Sequence, residues 1–221
     1  MNISCVIPVH NAERYLSEAL DSALAQDWPL HEIIAVDDGS TDCTAGILRA
    51  YQNRIKIVAQ PHSGVSAARN TGLRTASGDV FAFLDADDIW PAGRLSALAG
   101  ALKADASTDI VAGLVEILDQ RTARPQVKED LRTLHRLHLV GSMLIRRTVF
   151  ERVGLFNESL KVAEDTEFIM RARHRKIAFT RIDVTSLVYR LHPGNISQDV
   201  TRIQSSTLDA FRALSLMRRS K

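Results

Sequence analysis

The strongest constraint on the fold is a set of four short strand-like runs: Ile3–Val9, Glu32–Val36, Ile55–Ala59 and Val80–Leu84. Each is separated from the next by a stretch of helical period. The runs are rich in β-branched residues and do not alternate apolar with polar, so both faces of each must be covered. Between them, Glu13–Gln26 sets Leu16, Ala19, Leu20, Ala23 and Leu24 on one face at spacings of three and four, and Trp28-Pro29 closes that helix. A second helix starts from a cap at Thr41 or Asp42 and reaches Tyr51, and a third covers Val65–Thr75. This alternation predicts an α/β domain on a mostly parallel sheet with helices on both faces.

Beyond residue 90 the rhythm loosens. Pro91–Ala104 reads as a helix, Ile110–Leu118 and Gly141–Arg146 as strands, Asp165–His174 as a helix and Val184–Arg190 as a strand. Thr201–Arg218 reads as an amphipathic terminal helix, and Asp119–His138, charged and without period, as a long loop. Internal repeats and low-complexity linkers are both lacking, so the expectation is one domain over 1–221 with a shorter, irregular C-terminal half.

Composition narrows the class. A chain of 221 residues can bury a proper core, and a formal net charge of +2 offers no global basic field for nucleic acid. The stretch Arg121–Lys176 is basic enough to meet an anionic acceptor or membrane headgroups, and equally suits a solvated face. Cys5 and Cys43 lack disulfide spacing, the N-terminus lacks a leader pattern, and no apolar run nears the roughly 20 residues of a membrane helix. The expectation is a cytoplasmic protein, at most peripheral to a membrane.

Acids at strand ends carry the chemistry. Phe81–Leu84 runs straight into Asp85, Asp87 and Asp88, and Ile33–Val36 runs into Asp37 and Asp38. In open α/β sheets the carboxyl ends of strands are where ligands bind. Clustered carboxylates repel one another unless a cation sits among them. Asp85 and Asp87, two apart on an extended strand end, share a face and suit Mg²⁺ or Mn²⁺ rather than zinc. Asp88 can instead cap the helix that follows. Asp38 at a strand edge can accept from the N–H of a pyrimidine and Arg69 can donate to its carbonyl, or the two can form a surface ion pair. Glu164 and Asp165 precede an apolar helical face, where the helix dipole stabilises them or a crevice uses one as a general base. His192 is an ordinary loop residue or a ligand near phosphate and metal. G-x-G-x-x-G after the first strand, the P-loop pattern and G-x-S-x-G are all missing, which disfavours dinucleotide, P-loop and common hydrolase chemistry.

Taken in order, Ser4–Asn11, Val36–Thr41, Gly64–Gly72, Ala76–Trp90, Gly141–Phe156, Ala163–Asp165 and Tyr189–Ser197 resemble a family 2 glycosyltransferase of the GT-A fold. The resemblance implies a single GT-A-type domain with a Rossmann-like sheet. Residues from about 1 to 90 would form the nucleotide half, and those from about 91 to 221 the acceptor half, with the base and the terminal helix. Pro8, Asn11, Asp38 and Arg69 would line the nucleotide pocket, with Asp38 and Arg69 on uracil. Asp85 would face the ribose, and Asp87, with His192 nearby, would hold Mn²⁺ or Mg²⁺ against the diphosphate. Asp165 would deprotonate the acceptor, with Glu164 beside it.

The implied function is inverting transfer of one sugar from a UDP-sugar or similar donor to a glycan, lipid-linked or other hydroxyl acceptor, in building a surface glycan. A peripheral membrane contact and a homodimer are both compatible with it. The chain departs from the family at His10, where Tyr is usual, and at His62, where Asn is common. It lacks Q-x-x-R-W, which argues against a processive synthase. Two rivals stand beside this reading. A sugar-phosphate nucleotidyltransferase would carry a Gly- and Arg-rich loop where this chain has Pro8-Val9-His10-Asn11. A non-catalytic nucleotide-sugar-binding protein would have no need of Asp165.

Overall fold

The computed structural model describes residues 1–119 and 139–195. The elements are β1 (Ile3–Val9), α1 (Leu16–Leu24), β2 (Glu32–Asp38), α2 (Thr44–Ala50), β3 (Lys56–Gln60), α3 (Val65–Thr75), β4 (Val80–Phe83), α4 (Arg94–Ala104) and β5 (Ile110–Asp119). A 3₁₀ turn (Val140–Ser142) follows, then β6 (Met143–Arg146), α5 (Arg147–Val153), α6 (Glu164–His174) and β7 (Phe179–Leu191). The strands form one sheet in the order β3-β2-β1-β4-β6-β5-β7. It is parallel except for β6, which runs antiparallel to both β4 and β5.

Both faces of the sheet are buried, as unalternating strands require. Ile3, Cys5, Ile7 and Val9 of β1 point to one core with Leu16, Ala19, Leu20 and Ala23 of α1 and Leu95, Leu98 and Leu102 of α4. Val6 points to the other, with Ala68 and Leu73 of α3, Phe150 of α5 and Phe168 and Ile169 of α6. The second core is aromatic. Phe81 and Phe83 meet Phe150 and Phe156 edge-on, and Phe150 stacks on Phe168 at 5.0 Å. It seats the start of α6 on the same side of the sheet as α3.

Helix α3 lies very close on β1. A Cβ added to Gly72 would stand 2.3 Å from Val6 Cγ1, so only glycine permits this approach. Gly72→Ala is expected to lower stability by about 1–3 kcal/mol through overpacking, against a helix-propensity gain of about 1 kcal/mol. Urea unfolding checks this, and a stabilised variant would show that α3 has room to move.

Several expectations are corrected. The strand expected at Val184–Arg190 begins at Phe179, because its first half is a half-exposed edge without an apolar signature. Gly141 lies in the 3₁₀ turn rather than in a strand, and α5 follows β6 with no break. Two arginines of the basic stretch look inward. Arg146 donates to Thr108 O (2.9 Å) and Leu102 O (2.8 Å), and Arg147 to Gly78 O (2.7 Å) and Ala76 O (2.9 Å). These two arginines cap backbone carbonyls, whereas Arg152, Lys161, Arg173, Arg175 and Lys176 of the same stretch are exposed. Asp119 ends β5; the rest of the expected loop and the helix expected at Thr201–Arg218 lie outside the described residues. No helix among the described residues is long and apolar enough to cross a membrane.

Candidate active site

The strand order turns around β1: β2 and β3 lie to one side, β4 to the other. Ladder pairing between β1 and β4 stops at Val6 and Phe83, while β1 continues beside β2 to Val9. The carboxyl ends of β1 and β4 therefore border the topological switch point, where such sheets take ligands. Pro8 stands where β1 has lost its β4 partner, so its missing N–H leaves no gap in a ladder. It is buried within the strand.

Arg69, one turn before Gly72 on α3, is 2% exposed and joins three acids from distant parts of the chain. Its Nη1 donates to Glu164 Oε1 and to Asp165 Oδ1, both at 2.7 Å, and its Nη2 to Asp85 Oδ1 at 2.8 Å. Its guanidinium also lies 5.6 Å from the centre of the Phe156 ring. The neighbouring Asn70 grips the backbone of Phe156 in both directions, at 2.9 and 3.0 Å. Arg171, held by Glu167 on its own helix, ties α6 to the end of α5 through Val153 O and to Leu155 O just beyond it.

One guanidinium faces three carboxylates, so the cluster stays electron-rich. Burial pushes the Asp165 carboxyl up to about 7. Arg69 opposes that rise, and Glu164 and Asp85 add to it. The second oxygen of Asp165 accepts the Val140 N–H at 2.9 Å. Both carboxyls of the Glu164–Asp165 pair lie in the first turn of α6, as expected from the sequence.

The Asp85–Asp88 segment is a turn and not an extended strand end, because Asp88 N–H donates to Asp85 O at 3.0 Å. The three acids consequently diverge. Asp85 goes to Arg69, and Asp87 Oδ2 lies 3.1 Å from His192 Nε2 and 3.4 Å from Asn195 Nδ2. Asp88 accepts the Arg190 N–H at 3.0 Å instead of capping a helix. Burial first, then the Asp85 charge, raises the Asp87 carboxyl, while His192 opposes the rise. Burial, Asp87 and Asp85 hold Asp88 well above its ordinary value. His192 packs its ring on Tyr15 at 4.6 Å and takes the Gly194 N–H on Nδ1 at 3.2 Å, which leaves Nε2 to face Asp87.

Asp38 and Arg69 do not form a surface ion pair with each other, and each is held by partners of its own. Asp38 is 2% exposed, and its carboxylate is already filled from its own neighbourhood. Gln60 Nε2 (2.6 Å) and Ser63 N (2.9 Å) donate to Oδ1, and Gly64 N (2.8 Å) donates to Oδ2, which also lies 2.9 Å from His62 Nδ1. Asn11 is likewise engaged: Oδ1 accepts the Thr41 N–H at 2.8 Å, and its backbone takes a positive φ of 47°. Both residues fasten the loops after β1, β2 and β3 to one another. Sequence reasoning missed Asn70, Tyr15, Asn195 and the Val140 N–H. The last is a backbone group and leaves no residue-type signal.

Residues 4–177 match the profile of Glycosyl transferase family 2. The chain belongs to glycosyltransferase family 2. Among family relatives, an uncharacterized glycosyltransferase of Bacillus subtilis, EpsJ, is 28% identical over 216 residues, covering 89% of this chain and 63% of the relative. One from Rickettsia prowazekii is 34% identical over 177 residues, covering 74% and 56%. The chain thus spans about 56–63% of these two relatives' lengths. Staphylococcus aureus TarS in complex with UDP superposes with a TM-score of 0.70 at 26% identity, covering 87% of this chain and 61% of that one. A mannosyltransferase from Pyrobaculum calidifontis, in complex with GDP-Man and Mn²⁺, shares the fold at a TM-score of 0.74 and 22% identity, covering 96% and 64%.

Asp87 and His192 fit a divalent cation in this glycosyltransferase fold. A carboxylate and an imidazole stand side by side, next to two further acids whose mutual repulsion the ion would relieve. Ligation through His192 Nε2 would release the proton that the nitrogen carries.

Proposed function

We propose that this chain transfers a sugar from a nucleoside-diphosphate sugar, of which a UDP-sugar is our choice, to an acceptor hydroxyl with inversion at the anomeric carbon. The acceptor we favour is a growing surface glycan or its lipid-linked precursor, handled on the cytoplasmic side, where Cys5 and Cys43 stay free. The observation that carries the reading is Asp165: a buried carboxyl at a helix N-terminus, held by Arg69 and Val140 N–H, with an affinity for protons near neutrality. Each oxygen spends one lone pair on these partners and keeps another for an incoming hydroxyl. A base with a value of about 7 takes a proton most effectively near neutral pH.

The nucleotide is placed over the β1 and β2 loop ends, with Asp85 toward the ribose and Asp87 and His192 at the diphosphate. A bound Mn²⁺ or Mg²⁺ would neutralise the charge on the departing diphosphate. Arg69 orients Asp165 and Asp85 together, so it couples the donor side to the acceptor side. Asp165 removes the acceptor proton on the face of the sugar opposite the diphosphate, and a single displacement inverts the centre. The nucleotide half then extends to about residue 90, and the base and acceptor come from the half that follows.

A screen of nucleotide sugars by thermal unfolding, with and without Mn²⁺, tests this. A donor at 100 times its dissociation constant stabilises by about 2.7 kcal/mol. Asp87→Ala should remove the Mn²⁺ dependence. If no nucleoside diphosphate stabilises the chain under any metal condition, the reading fails.

The protonation of Asp165 gives a further expected result. The base works ionised, so kcat/KM should be low in acid and rise through about pH 7 to a plateau. The same shift acts on stability with the opposite sense. The native state binds a proton that the unfolded chain releases near 4, so this group's contribution falls as pH rises from about 4 to about 7. A flat rate profile across that range would remove Asp165 as the base.

A further inference from the structure

We infer that Asn70, acting through Phe156, is a positioning residue for the base: it fixes the surface on which the Arg69 guanidinium lies, and so where Asp165 stands. This role rests on Asp165 being that base. Asn70 follows Arg69 on α3, and a helix turns about 100° per residue, so the two side chains leave α3 in different directions. Arg69 reaches the acids, and Asn70 reaches the connection between α5 and α6. Asn70 is 1% exposed, and its amide is engaged with that connection alone. Oδ1 accepts the Phe156 N–H at 3.0 Å, and Nδ2 donates to Phe156 O at 2.9 Å and to Glu158 Oε1 at 2.8 Å.

Pairing with both the N–H and the C=O of one residue is what a neighbouring strand would do. A side chain does it by carrying donor and acceptor side by side on one planar amide, which limits the choice to Asn and Gln. The connection, residues 154–163, has neither helix nor strand of its own. Arg171 holds its start at Leu155 O, and Asn70 holds the next residue to α3. Phe156 is thereby fixed where its ring meets three parts of the site. The ring centre lies 4.9 Å from that of Phe168 on α6, 5.4 Å from that of Phe83 at the end of β4, and 5.6 Å from the Arg69 guanidinium. Helix α6 carries Asp165, and β4 leads into Asp85.

Arg69 depends on that contact. Its two Nη atoms bind Asp85, Glu164 and Asp165, while its buried Nε has no hydrogen-bond partner. The plane of the guanidinium is therefore set by the carboxylates and by the Phe156 ring. If Phe156 draws back, that plane is free to turn, and the bond from Nη1 to Asp165 loosens. The groups facing the Asp165 carboxyl are Arg69 from α3, Glu164 from its own helix, Asp85 from the turn after β4, and the Val140 N–H. Arg69 is the cation of that set, so a looser Arg69 lets the carboxyl keep its proton to higher pH.

The test is a carbon-13 NMR titration of the Asp165 carboxyl in the whole chain without nucleotide, its signal assigned with Asp165→Asn. Asn70→Ala and Phe156→Leu should each raise the midpoint by roughly one pH unit. Slow hydrolysis of the donor at pH 7 should then fall about fivefold, in step with the ionised fraction. Phe150→Leu is the control for stability. Phe150 stacks in the same aromatic core but has no contact with Arg69 among the described residues, so its variant should lower Tm and leave the midpoint in place. Far-UV spectra and Tm confirm folding, and Asn70→Ser, which keeps one hydrogen-bonding group, carries the test should Asn70→Ala not fold. A midpoint unmoved by the folded Asn70 variant, or moved as far by Phe150→Leu, overturns the positioning role. A moved midpoint with unchanged hydrolysis would keep the hold of Asn70 on the carboxyl and remove Asp165 as the base, so the two failures are told apart.

Discussion

Asp165→Asn should reduce sugar transfer by about 10²–10⁴-fold while leaving UDP affinity nearly unchanged, because general-base assistance acts in the transition state and not in donor binding. The fold should survive. Asn retains one oxygen, so either Arg69 Nη1 or Val140 N–H loses its acceptor, at a cost of about 1–3 kcal/mol. Against that, the substitution removes one of three carboxylates crowded on a single guanidinium, and so relieves both the burial of a charge and the lesser repulsion that raise Asp165. Net stability should shift little. UDP calorimetry and a transfer assay separate the two effects, and slow hydrolysis of the donor by water serves until the acceptor is found. Full transfer by Asp165→Asn would leave the carboxyl with only its role at the helix terminus.

Arg69→Met should instead lower stability by about 3–5 kcal/mol at neutral pH, the usual result of removing one partner from a buried ionic cluster. Asp85, Glu164 and Asp165 would be left facing one another without the cation they share. Protonation relieves that repulsion. Its deficit should be smaller at pH 5 than at pH 8. Urea unfolding at both pH values measures the difference. A variant as stable as wild type at pH 8, but with lost UDP affinity, would make reading a base the main role of Arg69.

Local pattern told most of the first half. The bounds of β1 and α3 agree residue for residue with the period in the chain, because an unalternating run and a 3.6-residue repeat each report which faces are buried. The acids at strand ends were also legible, as were Glu164 and Asp165 at a helix start. Their partners were not. The family pattern puts Arg69 on uracil but does not show that its guanidinium meets residues 95 and 96 positions further on.

What the sequence by itself determined is therefore the identity of the elements, the family, and the set of carboxylates and histidines at the carboxyl edge. Tertiary structure decided the pairing. The strand order packs α3 and α6 on one face, over the same aromatic core, and so brings Arg69 to Asp165. The turn at Asp85–Asp88 sends Asp85 to Arg69, Asp87 to His192 and Asp88 to the Arg190 backbone, where an extended strand would have aligned two of them. The placing of β1 and β3 on either side of β2 also brings His10 against His62. Periodicity reports burial along one element. Which charge meets which depends on how the elements are ordered in space, and no local spacing carries that order.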